Sequence, residues 1–459
     1  MKSSLQISKI DYWVYGISLA LCFLLFKQSD LTHTNSSSFA YLYGHFWDFY
    51  DYNQSRLGDN NYLPIFYWIF AIWNIPLKLL GLIPEVTKDT WMHPTVIQTI
   101  WSKLLLVIFF FASVRLVRKI SEQIFSQRSG ANPNYLNLPT LLFASSPIAI
   151  FAIFIFGGYD IFALYFMLLG LHAYFSKDFK WFVLWFSVAI SFKYFAAFAY
   201  LPLVLMVEKN LLRLVFYGVL GLAATALQFA LYWHSDIFLG EIFGLATAKA
   251  AGNGVNLRFL IANFTYLAMC IYLYFSKLDL DEGRMKWQQR AIMTCLLSYA
   301  LLFSWVLWHP QWIILVTPFV ALAYMFIRHQ KILLCVEILG YFGFAIFCMN
   351  NWVGNVDNTM LYGGAFASLL PQAKVLSSDL IGRSWMPLSR TLFYSFLYAP
   401  LLIFACEQIS RFLNRQALEK SSFKMASTAS SDIGLVKLRF LVGTYFYIAV
   451  SVICLVVST

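Results

Sequence analysis

Charge is scarce in this chain: 12% of its 459 residues are Asp, Glu, Lys or Arg, whereas 60% are hydrophobic and 19% aromatic. Soluble domains carry about 25% charged residues, so the sequence does not supply enough polar surface to cover a soluble fold of this length. Cysteine motifs are also missing. The seven cysteines are scattered, mostly within apolar runs (Cys22, Cys270, Cys295, Cys454), with no CxxC and no Cys/His pair at ligand spacing. They read as small core residues, not as metal ligands or a redox pair. No P-loop, GxGxxG, HExxH or GxSxG occurs, which argues against a soluble nucleotide donor, a zinc protease and a serine hydrolase. Strict two-residue alternation is absent as well, and with it the signature of a membrane β-barrel.

What the chain has in quantity is long apolar runs. Stretches of roughly 17–25 residues, each long enough to cross the hydrocarbon as a helix, recur from end to end. The expected fold is all-α: a polytopic transmembrane helical bundle of about 11–13 helices, one integral membrane domain over residues 1–459. The net charge of +11 is dispersed in short loops, which fits contact with anionic lipid and not with nucleic acid. Lys2 and Lys9 precede the first apolar run, Tyr12 to Phe26, with no small-residue cleavage site after it, so the expectation is a retained helix whose start lies in the cytoplasm.

Basic clusters at Lys177/Lys180, Lys209/Arg213, Lys277 to Arg290, Arg328/Lys331 and Arg411 to Lys424 then belong inside. This register assigns 27–63 and 350–388 to outer loops and 407–436 to a cytoplasmic loop. Two places resist it. Residues 181–207 lie between two inside clusters yet read as one run, so two shorter helices should meet near Lys193. Crossings at both 64–83 and 97–114 would carry Arg115, Arg118, Lys119 and Arg128 outside; either 64–83, interrupted by Pro64 and Pro76, fails to span, or the positive-inside bias is broken.

The polar residues of note fall on the outer side. Segment 44–63 holds Asp48, Asp51 and Asp59 with His45 among six aromatics: either an interfacial loop with solvated acids, or a carboxylate held over the membrane as a general base. Lys193 interrupts an apolar run, where a lysine costs about 2.5–3.5 kcal/mol on insertion scales. It should face an anion or pair with an acid such as Asp160. Asp160 follows Gly157 and Gly158 as an N-cap or a site residue, and the glycines would let a substrate approach the backbone. His309 and Gln311 lie at the WHPQW helix break, and Arg258 opens another helix. Asn35 and Asn263 match a glycosylation sequon that often occurs by chance.

Taken together, four stretches resemble the multi-pass GT-C glycosyltransferases, in particular their bacterial and mannosyltransferase-like branches: the acidic first loop ending NNYLPIFYW (60–68), SSPIAIFAIFIFGGYDIFALYFMLLGL (145–171), SFKYFAAFAYLPLVL (191–205) and WVLWHPQWIILVTPFVAL (305–322). The resemblance implies inverting transfer of a sugar from a polyprenyl-phosphate donor to a glycan or glycolipid acceptor at the outer face of a bacterial plasma membrane. Within it, the base is an acid of the first outer loop, Asp48 or Asp51, with Asp48 favoured. His45, Asp160, Lys193, Arg258, His309 and Gln311 are the expected substrate-binding residues, with Lys193, Arg258 and His309 at the donor phosphate. The family's GQ.D pattern is met only at Asp160, and nothing beyond about residue 325 is matched. No cofactor and no metal ligand is assigned, and assistance by a divalent cation is left open.

Other classes predict other patterns. A transporter or flippase of lipid-linked sugars should show internal repeats with paired broken helices, and none is visible. A glycan polymerase or ligase should carry a large outer loop rich in Arg and His, whereas 350–388 has only Arg383 and Lys374.

Overall fold

A computed structural model describes residues 7–58, 60–125, 136–251, 256–276, 284–306, 308–351, 364–366, 385–413 and 433–458. The described residues are helical, with no strand. Among the described residues six helices are long and apolar enough to cross a membrane, and seven if one bent pair is a single span. The chain is therefore a multi-pass helical membrane protein. Most of the loops expected at 350–388 and 407–436 lie outside the described residues, as does Asp59.

In chain order the helices are α1 Lys9–Leu25, α2 Ser29–Ser37, α3 Phe39–Leu42, α4 Phe49–Arg56, α5 Pro64–Leu79, α6 Lys88–Met92, α7 Val96–Phe125, α8 Leu138–Ala144, α9 Pro147–Ile150, α10 Ile161–Phe175, α11 Phe179–Phe192, α12 Ala197–Val207, α13 Leu211–Tyr232, α14 Asp236–Ala251, α15 Leu257–Phe275, α16 Arg284–Trp305, α17 Thr317–Ala323, α18 Gln330–Asn351, α19 Met386–Leu413 and α20 Ile433–Ser458. A π-helical turn, Phe151–Phe156, follows α9, and 3₁₀ turns lead into α12 (Tyr194–Ala196) and α17 (Pro310–Leu315). Several apolar runs are thus shorter as helices than as sequence. Each is cut where a backbone rule forces it: at Gly157, whose φ is +79°, at extended Lys193, and at His309-Pro310, where proline cannot continue the preceding helix.

The two ends of the bundle differ chemically. At one end Gln123 Nε2 donates to Ser176 Oγ at 2.8 Å, joining the end of α7 to the end of α10. There Lys209 Nζ reaches the carbonyl of Leu273, and Lys437 pairs with Asp11 at 3.4 Å. The described basic residues Lys177, Lys180, Lys209 and Arg213 lie at this end, in or beside the turns that follow α10 and α12. The opposite end collects residues 28–34, 61–62, 156–160, 193 and 309–312.

Helix α5 resolves the difficulty over 64–128. It begins beside Gln228, whose side chain accepts from the Ile65 N–H, and just past its other end the Ile83 carbonyl accepts from Tyr43 Oη at 2.8 Å. Ile83 and Val86 pack with Phe39, Phe49, Tyr50 and Tyr232. Both ends of α5 therefore lie at the same, non-basic end, and its 16 residues do not carry the chain across. Helix α7 makes that crossing and brings Arg115, Arg118 and Lys119 to the basic end, as the positive-inside bias requires. The segment expected as a first outer loop is largely helical, in α2, α3 and α4.

Two buried polar networks hold the bundle. Lys103, 1% exposed in the first third of α7, places Nζ within 2.5–3.2 Å of the carbonyls of Cys22, Phe23, Phe26 and Phe154. Three of these acceptors are at the carboxyl end of α1, where carbonyls lack helical partners and the helix dipole is negative. In the other network, Arg439 on α20 donates to Glu337 Oε1 on α18, to Ser145 Oγ and to the Leu142 carbonyl, and Tyr324 Oη donates to Glu337 Oε2. A buried ion pair needs such extra bonds to offset its desolvation. Outward-facing Leu212, Phe216, Val219 and Leu222 on α13, and Ile261, Phe264 and Leu267 on α15, are exposed and suit lipid contact.

Candidate active site

Helix α1 ends at Phe26, and the chain turns at once into α2. The Gln28 N–H donates to the Phe156 carbonyl at 3.2 Å, and the Gln28 side-chain oxygen accepts from the Asp30 N–H. The start of α2 is thereby tied to the end of the π-turn. Gly157 makes the tie feasible: a Cβ there would lie 2.7 Å from Leu31 Cδ2, in a left-handed conformation that side chains avoid. At Gly158 a Cβ would lie 2.9 Å from Gln311 Cβ. The space beside both glycines is taken by Leu31 and Gln311, not by an approach for substrate, and glutamine at 158, as in the family pattern, would collide with Gln311.

Across this junction Tyr159 Oη donates to Asp30 Oδ2 at 2.9 Å and accepts from Thr34 Oγ1 at 3.2 Å. Tyr62 Oη donates to the same carboxylate oxygen at 3.3 Å. Among the described residues Oδ1 accepts no hydrogen bond. Burial holds the Asp30 carboxyl above the usual aspartate range; the Tyr159 bond and the charges of His33 and Lys193 pull it down, and the Asp160 charge pushes it up. Desolvation is the largest of these influences, so the net direction is up.

Asp30 opens onto a cavity of about 340 Å³ lined by Gln28, Ser29, His33, Asn61, Tyr62, Trp91, Phe156, His309, Gln311 and Trp312. His309 stands before the 3₁₀ turn that carries Gln311 and Trp312, with its ring 5.2 Å from the Trp312 ring. His33 meets Trp91 edge-on at 5.3 Å. Lys193 lies one layer behind: its Nζ is 4.1 Å from the centre of the Trp312 ring and 3.0 Å from Asp160 Oδ1, and both partners are almost fully enclosed. Of the two roles open to Lys193, the structure shows the ion pair.

The remaining sequence candidates lie elsewhere. Asp48 is exposed and bonds His45 Nδ1 at 2.9 Å, and the His45 ring stacks on Tyr52 at 3.5 Å. Asp51 is exposed in the first turn of α4, where an acid favours the helix dipole. Arg258 is exposed at the start of α15. None of these four lines the cavity. Asn35 of the first sequon is 3% exposed and accepts from Asn74 Nδ2 at 2.9 Å, a core contact. Among the described residues no group of three or more His, Cys, Asp or Glu side chains is placed to hold a metal ion.

Asp30 itself carries no sequence motif. The signal that points to it is positional: it is the first acid after the first apolar run, and it precedes the denser acids of 44–63. No family model matches this chain, and no curated protein or solved structure matches it.

Proposed function

We propose that this protein is a membrane glycosyltransferase of the GT-C type, moving a sugar from a polyprenyl-phosphate carrier to a glycan or glycolipid acceptor with inversion. The observation that carries the reading is the meeting of Asp30, His33, His309 and Gln311, from distant parts of the chain, around one cavity at the non-basic end. Positive-inside bias assigns that end to the outer face of the membrane. The bacterial plasma membrane is the setting that the polyprenyl carrier implies.

A hydroxyl is a poor nucleophile at neutral pH unless a base takes its proton as attack develops. We assign that base to Asp30 in preference to the solvated Asp48 or Asp51. The acceptor oxygen attacks the anomeric carbon, the bond from that carbon to the phosphate oxygen breaks, and the electron pair leaves with the lipid phosphate. The hydroxyl proton passes to Asp30 Oδ1 while Tyr159 and Tyr62 hold Oδ2. A carboxylate whose pKa is raised by desolvation is, once ionised, a stronger base than a solvated one. His309 sits where it can donate to the phosphate as negative charge grows. The Lys193 charge, neutralised by Asp160, acts on the site at a distance and chiefly fixes the Trp312 wall.

The reading is tested by incubating the protein in lipid nanodiscs with radiolabelled undecaprenyl-phosphate glucose, mannose, galactose and arabinose, together with cell-envelope glycolipid as acceptor. Protein-dependent transfer of label from one donor to the acceptor supports it. Carriage of an intact labelled lipid across a vesicle, with no bond cleaved, would contradict it in favour of a flippase.

A further inference from the structure

Lys209 and Arg290 come from distant parts of the chain and meet at the basic end of the bundle. Lys209 follows α12, and its ammonium donates to the Leu205 carbonyl at 2.6 Å and to the Leu273 carbonyl at 2.5 Å, in the last turns of α12 and α15. The Tyr274 hydroxyl donates to the Lys209 carbonyl at 3.0 Å. These bonds hold the side chain across the seam between the two helices and use two of its three ammonium protons. Helix α16 packs on both α12 and α15. From it the half-buried Arg290 places its guanidinium carbon 5.8 Å from the centre of the Tyr272 ring, one residue from the carbonyl that Lys209 binds. Lys286, four residues earlier on the same face of α16, is exposed.

No described acid neutralises this group. Glu208 Oε1 already accepts from the Lys209 and Asn210 N–H groups at 2.9 Å, and its Oε2 lies 3.7 Å from Arg213. Among the described residues Arg290 and Lys286 pair with no carboxylate. Burial holds the Lys209 ammonium below its ordinary pKa, and the Arg290 charge pushes it the same way against the opposing charge of Glu208. Like charges held near one another away from bulk water repel, so an anion seated between them lowers the free energy of the fold.

The surroundings select the anion. Leu212 and Phe216 on α13 and Tyr272 and Phe275 on α15 are exposed beside the seam, apolar surface that suits acyl chains. Cations at the cytoplasmic ends of transmembrane helices, above lipid-facing side chains, form the kind of basic pocket that takes an anionic headgroup, and a guanidinium matches the oxygens of a phosphate. We infer that the seam between α12, α15 and α16 binds the headgroup phosphate of one anionic phospholipid of the cytoplasmic leaflet, held by Lys209 and Arg290 with Lys286 beside them. The site lies at the opposite end of the bundle from the Asp30 cavity and stands whether or not the protein transfers a sugar.

The test is native mass spectrometry of the full chain released from nanodiscs made of equal parts dioleoylphosphatidylglycerol and dioleoylphosphatidylcholine. The parent should retain one phosphatidylglycerol in preference to phosphatidylcholine. Arg290→Gln removes a charge and no described hydrogen bond, and should lower that preference about fivefold, the worth of one cation at a lipid surface. Lys286→Gln, at an exposed position, should lower it by about the same factor and serves if Arg290→Gln does not fold. Lys119→Gln, exposed at the same end on α7, should leave it unchanged. Retention of the two lipids alike by the parent, an unchanged preference in the folded Arg290→Gln or Lys286→Gln protein, or an equal fall in Lys119→Gln would overturn the site. Repeating the release in inorganic phosphate and in chloride at matched ionic strength separates the two sources of the anion. The lipid should be retained equally in both, and its displacement by phosphate alone would overturn the lipid assignment in favour of a free anion.

Discussion

Tyr159 and Asp30 are 129 positions apart in the chain and 2.9 Å apart in the fold, the phenol donating to one carboxylate oxygen. This bond ties α2, which follows the first transmembrane helix, to the GGYD turn that opens α10, and it fixes which oxygen of Asp30 remains open to the cavity. It also favours the ionised carboxylate, against the burial that disfavours it.

Removal of that bond should therefore show in the pH dependence. Asp30 must be ionised to act as a base, so kcat/KM rises with pH through its pKa, which burial holds above the ordinary aspartate value. Tyr159→Phe takes away an influence that lowers the pKa, so the acid limb of the profile should move to higher pH. The loss of rate should be several-fold on the acid limb and small on the plateau above it. A uniform loss at all pH values would mean that the phenol acts on packing alone.

For Lys193 and Asp160, one-sided and two-sided changes should differ. Asp160→Asn leaves a buried lysine charge without its partner, at a cost of about 3–5 kcal/mol, seen as a large fall in melting temperature in detergent. The pair Lys193→Met with Asp160→Leu removes both charges. It should recover most of that stability and keep kcat/KM within about tenfold of the parent. A double variant as unstable as the single one would show that the pair is not the source of the loss.

Lys103→Met should destabilise the protein strongly, because the carbonyls at the end of α1 and that of Phe154 lose a shared cation; each buried group left unmet costs about 1–3 kcal/mol. Lys119→Met, on the same helix at an exposed position, should change stability by less than about 0.5 kcal/mol. Thermal unfolding followed by fluorescence-detected size exclusion compares them. Equal melting temperatures would remove Lys103 from the framework of the site.

The course of the chain through 64–128 gives a labelling test. In a background stripped of native cysteines, Glu85→Cys should react with an impermeant thiol reagent from outside, and Arg118→Cys only after permeabilisation. Both positions are exposed. Labelling of Glu85→Cys from the inside would mean that α5 crosses the membrane.

The helical, membrane-spanning character of the fold is legible in the sequence because apolar run length is a local property. The break at Lys193 is legible too, since the basic clusters on both sides of 181–207 require the chain to turn back within that run. Where the run lengths mislead is at 64–79: an apolar helix that starts and ends on one side is distinguished from a crossing only by tertiary contacts such as Tyr43 to Ile83. Lys103 escapes because a lysine near the start of the apolar stretch 96–114 leaves the run intact, and the carbonyls it satisfies belong to other segments. Asp30 escapes for a related reason. Asp48 and Asp51 stand out by density among aromatics, whereas what distinguishes Asp30 is two tyrosines and a cavity wall brought from far along the chain.

The central claim, that Asp30 is the base, is tested most directly by Asp30→Asn in the nanodisc transfer assay, with Asp48→Asn and Asp51→Asn beside it. The amide keeps the shape and cannot take the proton, so Asp30→Asn should lower turnover by about 10²–10⁴-fold. Because the raised pKa means that ionised Asp30 costs the fold stability at neutral pH, the variant should melt no lower than the parent there. The other two variants should keep most of the parental rate. Near-parental turnover in Asp30→Asn, with loss of transfer in Asp48→Asn, would contradict the assignment and return the chemistry to the exposed acids of the α4 segment.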